Sequence, residues 1–107
     1  MGNFISNRHV RMVLRNNIDF NGEKMQAIVA MEEMSELTKE ICKHFRGKKN
    51  IISIAEEIAD VEIMLEQLKM IFKCEEIVAD KTEEKIGRIY ENLEKAGALR
   101  KMNAAGE

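Results

Sequence analysis

The sequence predicts an all-α protein built as an antiparallel helical bundle. Its 107 residues include no proline and only six glycines, so few positions interrupt regular helices. Apolar residues recur at helical spacing along three long segments. Charged residues make up 34% of the chain and hydrophobic ones 45%, a balance typical of soluble helical proteins. The length suffices for one domain and not for two, so we expect a single domain over residues 1–107.

The three periodic segments are predicted as helices over residues 23–45, about 51–73 and about 76–95. Glycines follow the first and the third segment at Gly47 and Gly97, a position where helices commonly end. Because the connecting loops are short, we expect neighbouring helices to pack antiparallel. The apolar residues of the last helix that we expect to face inward are Ile86, Ile89, Tyr90 and Leu93.

The two ends of the chain are predicted to lie outside the core, which spans about residues 23–95. Residues 1–21 are expected to form a weak helix or a basic arm, because Asn16-Asn17 should interrupt a helix there. Residues 97–107 are expected to be a frayed tail.

The middle helix carries a broader apolar stripe than one small bundle can cover. We therefore expect the bundle to be completed by self-association, as a homodimer or a homotetramer. The residues of this stripe are Ile54, Ile58, Val61, Met64, Leu65, Leu68 and Phe72. On the opposite side of the same helix, Glu62 and Glu66 are expected to face solvent.

Charge and composition limit the classes of partner and the compartment. The formal net charge is −2 and the pI is about 5.8, which argues against a nucleic-acid partner. No apolar run approaches the roughly 20 residues of a membrane span, and the N-terminus lacks a signal-peptide pattern, so we expect no membrane partner. Cys42 and Cys74 lack metal-motif spacing, which favours reduced, buried thiols in a cytoplasmic protein.

Four carboxylates form two pairs with a spacing of three residues, Glu33 with Glu36 and Glu57 with Asp60. Residues three apart share one face of a helix, so each pair can offer oxygen ligands to one side. Two such pairs on facing helices would form a cage for a hard cation such as Mg²⁺. The alternatives are a solvated face for the first pair and a buried ion pair for Glu57, which falls inside the apolar stripe.

A basic stripe on the last helix contains Lys81, Lys85 and Arg88. Beside an acidic metal cage, such a stripe fits a polyphosphate ligand, and otherwise it is ordinary surface charge. The sequence contains no Gly-rich phosphate loop and no Glu-x-x-His pair, which argues against a P-loop enzyme and a ferritin-like di-iron site.

The pattern Glu32-Glu33-x-x-Glu36, followed by residues 37–56 and then Glu57-x-x-Asp60, resembles the MazG-like all-α nucleoside triphosphate pyrophosphohydrolases. Residues 30–39 are similar to the first motif helix of that family, and residues 55–69 are similar to the second. The resemblance extends over about residues 23–93.

This resemblance implies a Mg²⁺-dependent enzyme, with Mn²⁺ as a substitute, that hydrolyses an NTP or dNTP to the monophosphate and pyrophosphate. The implied metal ligands are Glu33, Glu36, Glu57 and Asp60, and either Glu33 or Glu36 is the implied general base. Glu32 would support the cage. The implied substrate contacts are Gln26 to the base or sugar, and Lys85 and Arg88 to the phosphates.

Two other functions are open at this point. One is a phosphoribosyl-ATP pyrophosphohydrolase, which belongs to the same superfamily and has similar acidic motifs. The other is a non-catalytic helical interaction module whose carboxylates form only interhelical ion pairs. Dependence on Mg²⁺ separates the enzymes from the interaction module.

Overall fold

The computed structural model describes residues 7–100, and this part of the chain is all-α, with no strand. The predicted fold class is therefore confirmed at the level of an all-helical protein. None of the helices in the described range is long and apolar enough to cross a membrane. The helices are α1 (Arg8–Asn21), α2 (Glu23–Phe45), α3 (Ile51–Ile71) and α4 (Glu75–Lys95).

The internal contacts divide the chain into two compact units, residues 1–73 and 74–107. The first unit contains α1, α2 and α3, which pack against one another. The described part of the second unit contains one helix, α4, and a single helix cannot form a core of its own. The division is therefore not evidence for two folded domains, and the single domain stays a prediction.

Helix α1 corrects the prediction for the N-terminal region, because it continues through Asn16 and Asn17 to Asn21. Its start is capped by Asn7, whose side-chain oxygen accepts hydrogen bonds from the backbone N–H groups of His9 at 2.8 Å and of Val10, the next residue, at 3.2 Å. Local sequence preference disfavours asparagine inside a helix, but here tertiary contacts outweigh that preference. Residues 1–6 and 101–107 lie outside the described part, so most of the predicted tail does too.

Helix α1 is held by a small apolar cluster. Leu14 and Ile18 of α1 pack with Met70 of α3, and all three side chains are buried. Glu66 lies one turn before Met70, on the same side of α3. The expectation that Glu66 faces solvent is therefore wrong: it is buried at 9% exposure, and its Oε2 lies 2.7 Å from Lys69 Nζ. The sequence predicts no place for α1 in the core, so it gives no reason to expect that Glu66 is buried.

The turn between α2 and α3 begins at Gly47, as predicted. Gly47 has φ 103°, and its N–H donates to the His44 carbonyl at 2.9 Å. The N–H of Lys48 donates to the Lys43 carbonyl at 3.1 Å, which completes a Schellman-type helix end. This end reverses the chain within a few residues, so α3 starts directly at Ile51.

Helices α2 and α3 run antiparallel, as the short loop predicts. Gln26 near the start of α2 bonds to Gln67 near the end of α3, whereas Glu40 near the end of α2 bonds to Asn50 at the start of α3. Between these two contacts, Ala30 of α2 is completely buried, which brings the helix backbones close together.

Helix α4 is amphipathic, but none of its residues is buried. The expectation that Ile86, Ile89, Tyr90 and Leu93 face inward is therefore wrong for the single chain, where they are 40–60% exposed. Exposed apolar side chains at helical spacing are typical of a surface that another element or another chain covers.

Both cysteines are free. Cys74 is partly buried, but Cys42 is exposed, so the expectation of two buried thiols is wrong for Cys42. The reason is geometric: Cys42 lies on the side of α2 that does not contact α3, and no described residue covers it.

Candidate metal centre

Three of the four predicted carboxylates come together between α2 and α3. Glu33, Glu57 and Asp60 each offer one oxygen, and these oxygens lie within 4.8 Å of one another. Glu57 and Asp60 share a face of α3 because they are three residues apart, and the antiparallel packing brings that face to Glu33 of α2. The predicted convergence of the two motifs is therefore present in the structure for these three residues. We call them the acidic cluster.

The electrostatics of the acidic cluster are unfavourable without a cation. Burial raises the pKa of Glu33, and the nearby charges of Asp60, Glu36 and Glu32 raise it further. Burial also raises the pKa of Glu57, and the charge of Glu33 adds to this effect, followed by that of Asp60. Glu33 and Glu57 are therefore harder to ionise, first because they are partly buried and second because their neighbours are also negative.

The environment of Glu57 is unfavourable for one of its carboxylate oxygens. Glu57 is half-buried, and its Oε1 is shielded from solvent without a hydrogen-bond partner among the described residues. A buried carboxylate oxygen that lacks a donor is costly. A bound cation would satisfy this oxygen and would also offset the repulsion within the acidic cluster.

Glu36, the fourth predicted ligand, is not part of the acidic cluster. Its Oε1 lies 3.2 Å from the Nζ of Lys39, one turn further along α2, and both side chains are exposed. Glu32 is exposed, and its charge contributes to the raised pKa of Glu33, so its supporting role stays a prediction. The position of Glu36 outside the acidic cluster leaves its role as a fourth ligand a prediction.

An open groove of about 620 Å³ lies along α2 beside the acidic cluster, and Glu33 belongs to both. Glu32 and Glu36 also line it, so the groove is acidic at its middle. Its volume falls in the range of ~300–1,000 Å³ that is usual for small-molecule sites. The other described residues that line it are Ile28, Val29, Met31, Ser35 and Lys39.

On one side of the acidic cluster, three amide side chains join α1, α2 and α3. The Nδ2 of Asn17 donates to Gln26 Oε1 at 2.9 Å and to Gln67 Oε1 at 2.8 Å. The Nε2 of Gln67 donates to Gln26 Oε1 at 2.8 Å. Gln26, the predicted base or sugar contact, is thus only 6% exposed, and its oxygen already accepts two hydrogen bonds. Its substrate-binding role stays a prediction.

On the other side of the acidic cluster, Glu40 is held in its charged form. Hydrogen bonds from Asn50 and then from Lys43 lower the pKa of Glu40. The Nδ2 of Asn50 also donates to the Glu40 carbonyl at 2.9 Å. Two further buried atoms here, Asn50 Oδ1 and His44 Nδ1, lack a partner among the described residues. Glu40 differs from Glu57 in having donors for its charge.

The predicted phosphate contacts, Lys85 and Arg88, lie on α4 in the second unit, three residues apart and therefore on one face. Both are exposed. Lys81 Nζ, one turn earlier, lies 3.6 Å from Glu84 Oε1, which is an ordinary surface ion pair. The phosphate-binding role of Lys85 and Arg88 stays a prediction.

Sequence reasoning missed two polar features of the site. Gln67 is completely buried, although it follows Glu66 in the sequence and no role was predicted for it. A lone amide within an apolar helix face was the available signal, because buried amides need partners. Lys39 was also missed, although its spacing of three residues from Glu36 is that of a helical ion pair.

The residues of the acidic cluster fit a hard divalent cation. All three offer oxygen ligands of the kind that Mg²⁺ and Mn²⁺ prefer, and they offer no thiolate or imidazole. The unpartnered Oε1 of Glu57 is an atom of this structure that such an ion would satisfy.

The chain matches no protein-family model, no curated protein and no solved structure. The similarity of its motifs to the pyrophosphohydrolases is therefore an expectation from the sequence.

Proposed function

We propose that this protein is a Mg²⁺-dependent nucleoside triphosphate pyrophosphohydrolase that converts an NTP or dNTP to the monophosphate and pyrophosphate. One observation carries the proposal: three carboxylates from facing helices converge, and one of them has a buried oxygen without a partner. Such a group is destabilised as it stands and would be stabilised by a cation that also binds phosphate oxygens.

In this function, Glu33, Glu57 and Asp60 would hold the cation, and Glu36 would be a fourth ligand. The cation would supply charge stabilisation to the phosphate oxygens. Glu33 or Glu36 accepts a proton from an attacking water. The oxygen of that water bonds to phosphorus at the α–β linkage, the anhydride bond breaks, and pyrophosphate leaves.

The remaining predicted roles belong to the same proposal. Lys85 and Arg88 would contact the phosphates, with bidentate hydrogen bonds available to the guanidinium of Arg88. Self-association as a homodimer or homotetramer would cover the exposed apolar side chains of α3 and α4. The position of Glu32 in the groove fits a supporting charge.

The test is a pyrophosphate-release screen over the common NTPs and dNTPs and phosphoribosyl-ATP, run with Mg²⁺, with Mn²⁺ and with a chelator. The proposal requires release of pyrophosphate from at least one nucleotide, and the chelator should abolish it. A folded protein that releases none, and whose stability does not respond to Mg²⁺, would instead be a helical interaction module. Release from phosphoribosyl-ATP alone would indicate the alternative enzyme of the superfamily.

A further inference from the structure

We infer that Asn17 is a positioning residue that turns the side-chain amide of Gln26, so that Gln26 Nε2 donates a hydrogen bond to a carbonyl oxygen of the substrate's base. This inference rests on the proposed function and on the predicted contact of Gln26 with the base. It gives the site a preference for bases with a carbonyl group over bases with an amino group at the same position. No sequence motif indicates a role for Asn17.

The amide side chains and the acidic cluster lie at two levels of the same interface between α2 and α3. Gln26 and Glu33 are seven residues apart on α2, and Gln67 and Asp60 are seven residues apart on α3. Seven residues are about two turns, so each amide lies on the same side of its helix as the carboxylate, about 10 Å along the axis. Gln67 Nε2 donates to Gln26 Oε1 at 2.8 Å, which joins the two helices at this level.

A backbone atom of α1 sets the direction of the amide hydrogen bonds. The Nδ2 of Asn21 donates to the backbone carbonyl of Asn17 at 3.0 Å and to Asn17 Oδ1 at 2.9 Å. Because a backbone carbonyl can only accept, it determines which end of the Asn21 amide faces Asn17. Asn17 therefore turns its Oδ1 toward Asn21 and its Nδ2 toward α2 and α3.

Asn17 passes this direction on to both glutamines. Its Nδ2 donates to Gln26 Oε1 at 2.9 Å and to Gln67 Oε1 at 2.8 Å. Gln26 Oε1 thus accepts from Asn17 and from Gln67. If the Gln26 amide were turned over, its own N–H groups would face two other donors and no acceptor. The oxygen of Gln26 is therefore held inside the network.

The Nε2 of Gln26 is left free to contact a ligand. No described residue accepts a hydrogen bond from it, whereas Asn17 Nδ2 and Gln67 Nε2 both have acceptors. Gln26 is 6% exposed, and its Nε2 is not one of the solvent-shielded, unpartnered atoms of the described range. Contact through the oxygen would require the network to open, but contact through Nε2 leaves it intact.

A donor fixed in this way distinguishes bases by the group that they present. Uracil and hypoxanthine carry a carbonyl oxygen where cytosine and adenine carry an amino group. A carbonyl oxygen accepts the hydrogen bond from Gln26. An amino group at the same place sets two donors against each other and leaves both without a partner.

Selectivity within matched pairs of nucleotides tests the inference. Pyrophosphate release would be measured with Mg²⁺ for UTP against CTP and for ITP against ATP. In the pair that the wild type hydrolyses faster, we expect kcat/KM to be about tenfold or more higher for the nucleotide with the carbonyl group, as for one unpaired hydrogen bond.

Substitution of Asn17 should change this ratio in a way that a merely structural role would not. In Asn17→Asp, the carboxylate can only accept, so Gln26 turns its Nε2 inward and presents its oxygen to the base, and we expect the preference to reverse. In Asn17→Ala, Gln26 and Gln67 can pair in either direction, so we expect the ratio to fall toward one.

Asn16→Asp is the matched control, because it makes the same change at the preceding, exposed position of α1. It should keep the wild-type ratio. Circular dichroism checks that the variants keep the wild-type helix content, and if Asn17→Asp does not fold, the ratio of Asn17→Ala decides.

A carbonyl preference that Asn17→Asp reverses or Asn17→Ala abolishes, with Asn16→Asp unchanged, supports the inference. A wild type with no carbonyl preference overturns it, and so does a preference that folded Asn17 variants keep. In both of these cases the enzyme is active, so the proposed function stands. A wild type that releases no pyrophosphate from any nucleotide overturns the proposed function itself, and this inference with it.

Discussion

Glu57 combines burial, nearby like charge and a missing hydrogen-bond partner in one side chain. Its carboxylate is half-buried, close to two other carboxylates, and its Oε1 has no hydrogen-bond partner in the described part of the chain. Burial and like charge both disfavour its ionised form, so in the absence of a cation it opposes folding.

Replacing Glu57 tests this directly. Glu57→Gln should abolish pyrophosphate release while leaving the melting temperature equal or higher in the presence of chelator, because it removes a buried charge. Glu56→Gln, one residue away and exposed, is the matched control and should behave as the wild type. A large loss of stability together with retained Mg²⁺-dependent activity would mean that Glu57 is a structural ion-pair partner.

The sequence was sufficient to predict that Glu33, Glu57 and Asp60 converge, but not the position of Glu36 or the polar contacts beside the acidic cluster. The spacing of Glu57 and Asp60 on one helix predicts a shared face, and antiparallel packing brings Glu33 to it. The amide contact of Asn17 with Gln67 joins residues fifty positions apart. No local pattern predicts such a pairing, because it depends on how α1 packs against α3.

The helices show which local signals determine their ends. Gly47 was predicted as the end of α2 because only a residue tolerant of positive φ suits that position, and it has φ 103°. Asn16 and Asn17 were predicted to end α1 and do not. The first signal concerns a steric requirement of the backbone, whereas the second is a weak preference that packing can override.

Two glycine substitutions should therefore have opposite effects. Gly47→Ala should lower the free energy of unfolding by about 1–2 kcal/mol, because an L-residue is strained at positive φ. Gly87→Ala lies within α4, with no neighbouring atom within 4 Å of an added Cβ, and should raise helix stability by about 0.5–1 kcal/mol. Urea unfolding followed by circular dichroism measures both. Equal effects of the two substitutions would contradict this account of the turn.

The pairing of α2 with α3 should also make stability depend on pH. The pKa values of Glu33 and Glu57 are raised in the folded protein above their usual value of 4.5, so the folded state binds more protons than the unfolded state above that pH. Their contribution to stability is thus fully present below pH 4.5 and is lost as the pH rises through the raised values.

Thermal melts across this pH range, with chelator, should show a decline in stability that the double variant Glu33→Gln/Glu57→Gln lacks. Mg²⁺ should reduce the decline in the wild type, because it binds the ionised carboxylates and displaces their protons. Identical pH profiles for the wild type and the double variant would show that the acidic cluster is not coupled to folding.

For the molecule as a whole, the exposed apolar surface is the feature that a single chain leaves unexplained. On α3 and at the residue directly after it, apolar side chains recur every seven residues and are all more than 40% exposed: Ile51, Ile58, Leu65 and Phe72. On α4, no residue is buried. The all-α class and the approximate limits of α2, α3 and α4 could be predicted from periodicity and glycine positions, but what covers these faces could not, since it depends on contacts beyond one chain.

We expect these faces to be covered by further copies of the chain, so the protein should be a dimer or a tetramer at micromolar concentration. Light scattering after size-exclusion chromatography measures this. Leu65→Glu, at the centre of the exposed stripe, should shift the protein to smaller species, whereas Glu83→Gln on an exposed position of α4 should not. A folded wild-type monomer would contradict the expectation.

Calorimetric titration of the chelator-treated protein with Mg²⁺ shows whether the acidic cluster binds a divalent cation. We expect saturable binding by the wild type. Binding should release protons, and this release should increase as the pH is lowered toward the raised pKa values of Glu33 and Glu57. Glu57→Gln should lose this binding, and Glu56→Gln should retain it. The same Mg²⁺ binding in wild type and Glu57→Gln, or none in either, would contradict the claim.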